Sequence, residues 1–315
     1  MFVLGIDIGG TTIKLGVVDT STGSVVAESS FPTPQSGARN VAMETAQRVH
    51  DIRSAYPEIG RIGVGVPGAM NADRSLVRYP PNLFGWKEEP LQQYFKEALP
   101  DFQQIEVDND AKVATLAEAR LGAGKGASHF LLVTLGTGVG GGIYSTEGAF
   151  AGIYRGSSGG AGEFGHVSID LNGPQCKCGS RGCIEAYLGQ HYLSERTREK
   201  LIADNTIDSP LRAEENELTP KLIASAMNGG DAFARGVFEE AGMFLGVALA
   251  NVAKLLDMHL FIIGGGVAEA GTVLFDAAAA SLHANVFENL KPVVEIRPAV
   301  FGNRAGIIGA AMLVS

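Results

Sequence analysis

The chain has 315 residues, 45% of them hydrophobic, with a net charge of −9 and an isoelectric point near 5.2. That length can bury a substantial core and makes two domains the prior expectation. An acidic chain without a basic stripe suits a nucleic-acid backbone poorly, so a small-molecule partner is expected rather than nucleic acid. The first residues enter an apolar run with neither a basic segment nor a small-residue cleavage site, so no signal peptide is expected. No uninterrupted apolar stretch of about 18 residues occurs, and no membrane span is expected. The reading is a soluble protein of a reducing cytoplasm. Its 42 glycines come in blocks, a pattern of loops that approach a ligand.

Residues 2–8 read as a buried strand, Gly9-Gly10-Thr11-Thr12 as a turn and 13–18 as the returning strand, with a third strand near 24–31 completing a meander. The spacing of Val41, Thr45, Arg48, Val49 and Ile52 predicts a helix over 38–55. A strand at 61–66 ends in Pro67-Gly68, and 71–89, with Pro80-Pro81-Asn82 and the single tryptophan, Trp86, reads as a long functional loop. Residues 105–108 form a strand that gives way at Asn109-Asp110 to a helix over 111–121. The pattern then restarts with a strand at 130–135, a glycine turn over 136–142 and a return strand beginning at Ile143-Tyr144. Strand, glycine turn and return strand thus occur twice, about 127 residues apart. This predicts a duplicated α/β unit with a ligand between the halves. A helical region at 187–200 and a polar surface loop at 204–217 follow. Asp231 caps a long helix reaching 256, and then come a strand at 260–263, a turn at Gly264-Gly265-Gly266, a helix at 272–284, a strand near 293–296 and a small-residue helix at 305–313.

All three cysteines, Cys176, Cys178 and Cys183, lie close together, and His166 stands ten residues upstream of the first. Three thiolates and an imidazole make a complete tetrahedral zinc set; the alternative is three buried thiols. An odd number of clustered cysteines beside a histidine favours the metal over a disulfide framework. Four protein ligands leave no open position, so the zinc is structural, and it pins Glu163, His166 and Glu185 around one small volume.

Gly136, Gly138 and Gly141 match G-x-G-x-x-G, but that fingerprint must open a helix and a second strand follows here. With the similar turn after Asp7, it instead brings free backbone N–H groups and a threonine hydroxyl against phosphate oxygens. No G-x-x-x-x-G-K-[ST] string occurs, which excludes a P-loop. Asp7 fits a Mg²⁺ contact through water or a turn-forming aspartate, and Lys14 fits a phosphate contact or a solvated edge residue. Asn109-Asp110 suits a helix N-cap. Placed between two phosphate-type turns, Asp110 can also take the proton from a hydroxyl attacking a γ-phosphate. Asn109, Glu163, His166 and Glu185 offer the polar partners a polyol needs, since each unmatched buried polar group costs about 1–3 kcal/mol.

Asp7-Ile-Gly-Gly-Thr11, Asn109-Asp110, Leu135-Gly-Thr-Gly-Val-Gly-Gly141, Glu163-Phe-Gly-His166, Cys176-x-Cys178-Gly-x-x-Gly-Cys183-x-Glu185 and Gly264-Gly-Gly266 occur in the order found in ROK-family sugar kinases. The resemblance runs nearly the full length. It implies an actin-like ATPase (ribonuclease H-like) duplicated α/β fold with two lobes around a central cleft. Residues 1–110 plus about 300–315 would form the smaller lobe and 111–299 the larger, zinc-bearing one. The expected activity is ATP-dependent phosphorylation of the 6-hydroxyl of glucose, as in a glucokinase, with ATP, Mg²⁺ and structural Zn²⁺ as cofactors and a homodimer as the assembly. On this footing Asp110 is the catalytic base, and Gly68, Asn109, Asp110, Glu163, His166 and Glu185 bind the sugar. His166 also joins Cys176, Cys178 and Cys183 on zinc. Asp7, Gly9, Gly10, Thr11 and Thr12 with Gly136, Thr137 and Gly138 are the phosphate loops, and Gly264, Gly265 and Gly266 the adenosine loop. Thr12 departs from the Lys or Asn of many family kinases. Some members are sugar-responsive repressors with an N-terminal helix-turn-helix; here the first phosphate-type turn begins at Gly9, so no DNA-reading module is expected. The alternatives are an N-acetylmannosamine or N-acetylglucosamine kinase using the loop at 82–86 for the acetamido group, a catalytically silent sugar-binding regulator, and polyphosphate as donor.

Overall fold

The computed structural model describes residues 1–148 and 151–315. The chain begins with β1 (Phe2–Ile8), β2 (Thr12–Asp19), β3 (Ser24–Pro32), α1 (Ala38–Ala55) and β4 (Arg61–Val66). Three two-residue strands, β5 (Ala69–Met70), β6 (Val77–Arg78) and β7 (Glu88–Glu89), precede α2 (Leu91–Ala98), β8 (Gln104–Asn109) and α3 (Asp110–Leu121). The β1-β2-β3 meander pairs antiparallel, whereas β1, β4 and β8 run parallel, in the order β3-β2-β1-β4-β8.

The second half repeats this plan with β9 (His129–Leu135), β10 (Val139–Ser145), β11 (Gly152–Tyr154), α4 (Glu185–Leu188), α5 (Gln190–Ala203), α6 (Pro220–Asn228), α7 (Ala232–Leu256), β12 (Leu260–Gly264), α8 (Thr272–Asn285), β13 (Glu295–Pro298) and α9 (Ala305–Met312). Its sheet runs β11-β10-β9-β12-β13, so both sheets place their third, second, first, fourth and fifth strands in that order. The duplication inferred from the repeated glycine turn is therefore a duplication of whole sheets.

The chain divides into two compact units: Met1–Ser128 with Gly142–Gly162 and Asn303–Ser315, and His129–Gly141 with Glu163–Gly302. Within the first unit, Ala111, Val113, Ala114 and Ala117 of α3 are buried, and the backbone of α3 meets α9 at Gly309.

Other expectations needed correcting. Residues 71–89 are no open loop: β5, β6 and β7 form a small antiparallel sheet, and Leu83 and Trp86 are buried in the first unit's core. The turn expected over 136–142 is shorter, because β10 already begins at Val139 and runs through the remaining glycines. The expected strand near 293 starts at Glu295, since the N–H groups of Val293 and Val294 both close a turn on the Leu290 carbonyl. The helical region near 187 begins at Glu185 and is split at Gly189, whose ψ of 140° is extended. Helices α2 and α6 were not anticipated; each buries only two side chains, too few to mark a period.

In the second unit, α7 follows its Asp231 cap, whose carboxylate accepts from the Phe233 N–H. Among the described residues α7 is long and apolar enough to cross a membrane, but its apolar face is covered by α8. The two helices approach through Gly242 and Gly246, where an added Cβ would lie 2.5 Å from the Leu274 carbonyl oxygen and 2.4 Å from that of Ala278.

The tightest packing in the first unit sets α9 on β1 and β4. A Cβ on Gly5 would lie 2.0 Å from the Ile307 carbonyl oxygen, and one on Gly63 only 1.7 Å from that of Ala310. Neither obstacle is a side-chain end that can swing away. Gly63→Ala must displace backbone and is expected to destabilise the protein by at least about 1–3 kcal/mol, the range for overpacking. Urea unfolding of the two proteins measures the difference.

Candidate active site

The first unit assembles a carboxylate pair. The turn between β1 and β2 closes with the Gly9 N–H donating to the Thr12 carbonyl at 3.0 Å, leaving Thr11 exposed. Asp7 precedes this turn and stands opposite Lys14 in the β1-β2 register; the Lys14 ammonium also reaches the Asn303 carbonyl at 3.4 Å. The Asp7 carboxyl rests against the first turn of α9, where a Cβ on Gly306 would lie 2.6 Å from its Cγ. Burial, then the neighbouring Asp110, pushes Asp7 up to about 6, against a smaller downward pull from Lys14.

Asn109 and Asp110 occupy the junction of β8 and α3. The Asn109 Oδ1 caps the helix by accepting from the Lys112 N–H at 3.1 Å. Its amide donates to Asp110 Oδ1 at 2.9 Å and to the Gly68 carbonyl at 3.1 Å. Asp110 Oδ1 also accepts from the Ala111 N–H at 2.8 Å. Both bonds fall on one oxygen, and Oδ2 is the one disposed to accept from a ligand. Burial raises the carboxyl above its ordinary range, with the Ala111 and Asn109 bonds and the charge of Lys112 acting the other way. Gly68, Asn109 and Asp110 are thus brought together, with Asp7 near enough to feel the Asp110 charge. The N-cap and functional readings of Asn109-Asp110 are compatible: Asn109 is the cap, and Asp110 is the first helical residue.

The second unit gathers the other glycine turn, the acidic residues and the cysteines. The turn between β9 and β10 closes with the Gly136 N–H on the Gly138 carbonyl at 2.9 Å, and Thr137 is exposed. Glu185 Oε2 accepts from the Val139 N–H at 2.9 Å, and a Cβ on Gly138 would lie 2.5 Å from that oxygen. Gly165, inside a tight turn between Glu163 and His166, backs onto the Val139 carbonyl, where a Cβ would stand 2.0 Å away. Gly265 lies against the Leu135 carbonyl with φ at +93°, a left-handed value suited to glycine. Gln190 joins these parts, its N–H donating to the Gly136 carbonyl at 3.0 Å while its side-chain nitrogen neighbours Gly266. The expected phosphate turn at 136–138, the Gly264-Gly265-Gly266 turn and Glu185 are therefore neighbours.

His166, Cys176, Cys178 and Cys183 place one ligand atom each within 4.8 Å of one another. Cys178 and Cys183 sulfurs are 3.6 Å apart, and Cys176 Sγ is 3.8 Å from His166 Nδ1. A zinc ion about 2.3 Å from each sulfur in tetrahedral geometry sets sulfurs roughly 3.8 Å apart, so the donor set fits. No cysteine is in a disulfide. Burial pushes the Cys183 thiol up to about 12 and raises Cys176, so thiolates at these positions call for a cation. Glu185 Oε1 lies 4.0 Å from Cys176 Sγ, which puts the carboxylate between the cysteine knot and the β9-β10 turn.

Three charged residues near Asp110 escaped the sequence reading. Asp108, fully buried, meets Arg155 through two contacts, 2.8 Å at Oδ1 and 2.5 Å at Oδ2. Lys112, in the first turn of α3, donates its ammonium to the Gly159 carbonyl. The sequence signal for Lys112 was its place among small apolar residues, Ala-Lys-Val-Ala, in a helix with a buried face. Arg155 and Asp108 lie 47 residues apart and left no local signal.

Paired sheets with a glycine turn after the first strand of each, and an aspartate at a strand-helix junction, define an actin-like ATPase fold. The ROK family model matches residues 3–315, and the chain belongs to that family. It is 35% identical to a glucokinase of Halalkalibacterium halodurans, over 99% of this chain and 94% of that one. It is 27% identical to an N-acetylgalactosamine kinase of a Shewanella species, over 98% and 95% of the two chains. Among solved structures, a ROK family glucokinase from Streptomyces griseus in complex with glucose and AMPPNP matches with a TM-score of 0.85 at 31% identity, covering 99% of each chain.

The raised Asp7 carboxyl has a stability consequence. Its folded value of about 6 exceeds the ordinary 3.8, so between those values the folded state holds the proton more tightly than the unfolded state. Stability from this group is therefore greatest below about pH 4, is lost as pH rises to about 6, and stays lost above it. Asp7→Asn removes the ionisation and is expected to stabilise the metal-free protein by roughly 2–3 kcal/mol at pH 7.5. Thermal melts across pH 4 to 7.5 should show the advantage shrinking towards the acid end.

Proposed function

We propose that this sugar kinase transfers the γ-phosphoryl group of ATP to the 6-hydroxyl of glucose. The observation that carries the reading is Asp110: a desolvated carboxylate, held by Asn109 and the Ala111 N–H on one oxygen, beside Asp7 and the first glycine turn. Asp110 Oδ2 would accept the hydroxyl proton as the sugar oxygen forms its bond to the γ-phosphorus and the bond to the ADP oxygen breaks. A burial-raised carboxyl suits a base working near neutral pH better than an ordinary aspartate does. The residues proposed to take sugar hydroxyls are Gly68, Asn109, Glu163, His166 and Glu185. The turns at Gly9–Thr12 and Gly136–Gly138 would bind phosphates through backbone N–H groups, and Gly264–Gly266 would approach the adenosine. Further support comes from the glucokinase relatives.

Two metals belong to this reading. Mg²⁺, held through Asp7, would supply positive charge to the phosphates. Zn²⁺ on His166, Cys176, Cys178 and Cys183 would have a structural part, bracing the turn that carries Glu163 and His166 and the start of α4 at Glu185. An N-acetylhexosamine kinase is the second reading, favoured by the N-acetylgalactosamine kinase relative.

A matrix of sugars against ATP and polyphosphate, run on purified protein, tests the reading; the highest kcat/KM is expected for glucose with ATP. Preference for a 2-acetamido sugar would select the second reading, and sugar binding without phosphoryl transfer would select a silent regulator. Asp110→Asn is expected to lower kcat by about 10²–10⁴, the usual contribution of a general base, with a smaller change in sugar KM. Elemental analysis is expected to find zinc bound in the purified protein. Cys178→Ser should lose that zinc and melt at lower temperature, and a metal-free protein with unaltered melting and activity would rule the structural zinc out.

A further inference from the structure

Helix α4 has only four residues, Glu185–Leu188, too few to hold a helix on their own hydrogen bonds. Both of its ends nevertheless grip the β9-β10 turn. At its start Glu185 Oε2 accepts from the Val139 N–H at 2.9 Å, and just past its other end the Gln190 N–H donates to the Gly136 carbonyl at 3.0 Å. Whatever fixes the place of α4 therefore fixes the carboxylate and the turn together.

Tyr187, the third residue of this helix, is buried. Its ring centroid lies 4.2 Å from that of Phe244 on α7, and the Arg196 guanidinium of α5 stands 4.7 Å from the same ring. Arg196 is itself held by Glu240 of α7 at 3.1 Å. Phenylalanine would serve that packing equally well. The hydroxyl adds a directed bond, donating to Asp170 Oδ2 at 3.1 Å. The segment that presents Asp170 is closely specified: the Asn172 N–H donates to Asp170 Oδ1 at 2.9 Å, and the Gly173 N–H to the Asp170 carbonyl at 3.1 Å. A Cβ on Gly182 would lie 1.8 Å from that carbonyl oxygen, and one on Gly173 would lie 2.3 Å from the Tyr187 hydroxyl. Two glycines thus clear the space in which the hydroxyl meets the carboxylate.

We propose that Tyr187 is a positioning residue for phosphoryl transfer: with its hydroxyl on Asp170 and its ring against Phe244 and Arg196, it sets α4 so that Glu185 and the Gly136–Gly138 turn keep their places. This rests on the reading of Glu185 as a sugar ligand and of that turn as a phosphate loop. None of the groups in this brace is among the four candidate zinc ligands, so it supports α4 separately from them. A hydrogen bond to a charged group is among the stronger ones in a protein, and losing it frees a helix too short to stay in register unaided.

The test compares wild type, Tyr187→Phe, Asp170→Ala and the double variant. Each is read by steady-state kinetics on glucose and ATP, by zinc content, and by the ¹⁵N–¹H signal and hydrogen exchange of the Val139 amide, which reports the bond to Glu185. Tyr187→Phe keeps the ring and loses only the hydroxyl. It is expected to raise KM for both glucose and ATP roughly fivefold, with kcat changed less and zinc content unchanged. The Val139 N–H should exchange faster and shift upfield. Asp170→Ala should match it, and the double variant should be no worse than either single one, since all three lose the same bond. If Tyr187→Phe does not fold, Asp170→Ala is read in its place. A Val139 amide unmoved in Tyr187→Phe overturns the proposal even where the protein melts earlier, and so do unmoved KM values or additive losses in the double variant. An effect that appears only with loss of zinc also overturns it, because it would act through the cysteines. The NMR arm needs no substrate, so failure to phosphorylate any hexose would reject the kinase reading while still deciding whether Tyr187 holds Glu185 in place.

Discussion

In the first unit, the backbone of α9 lies against β1 and β4 more closely than any side chain would allow. Gly5 and Gly63 on the strands face the carbonyls of Ile307 and Ala310, and Gly309 on the helix faces the Val113 carbonyl of α3. β1, α3 and α9, distant in sequence, are thus held backbone to backbone, and each carries part of the site. Asp7 is the last residue but one of β1, α3 begins at Asp110, and Gly306 in the first turn of α9 lies against the Asp7 carboxyl. Side chains at these contacts would push the elements apart by ångströms. Protein interiors pack densely enough to transmit such a shift, so the spacing of the two carboxylates depends on missing Cβ atoms some distance from them.

That spacing has an electrostatic cost. Burial raises both Asp7 and Asp110, and the Asp110 charge raises Asp7 further. Two cations act the other way, Lys14 across the β1-β2 ladder on Asp7 and Lys112 in the first turn of α3 on Asp110. A site arranged purely for stability would replace such groups with apolar ones. Keeping two strained carboxylates and a buried lysine is the trade of stability for chemistry expected where charge must be managed away from water.

Much of this was legible in the sequence because its signals are local. β1, β2, β4, β9 and β12 are short apolar runs, and the two glycine turns, the Asp231 cap and the cysteine cluster are contiguous patterns that survive without a structure. The errors lie where local pattern misleads or is absent. A glycine run reads as a turn, yet β10 passes through Gly140, Gly141 and Gly142, and the last is closely packed: a Cβ there would lie 2.0 Å from Thr115 Oγ1. The β5-β6-β7 sheet is built from two-residue strands, too short to show alternation. The Asp108–Arg155 pair joins residues with no periodic relation.

In the second unit, one side chain does the integrating that packed glycines do in the first. Glu185 opens α4 two residues after Cys183; Oε1 faces Cys176, and Oε2 binds the Val139 N–H at the start of β10. Gly138 must lack a Cβ for that oxygen to reach its place. A displacement of the cysteine knot would therefore move the carboxylate, and through it the glycine turn, without touching the strands behind. The donor geometry of His166 and the three cysteines and the position of a turn suited to phosphates are consequently one mechanical problem.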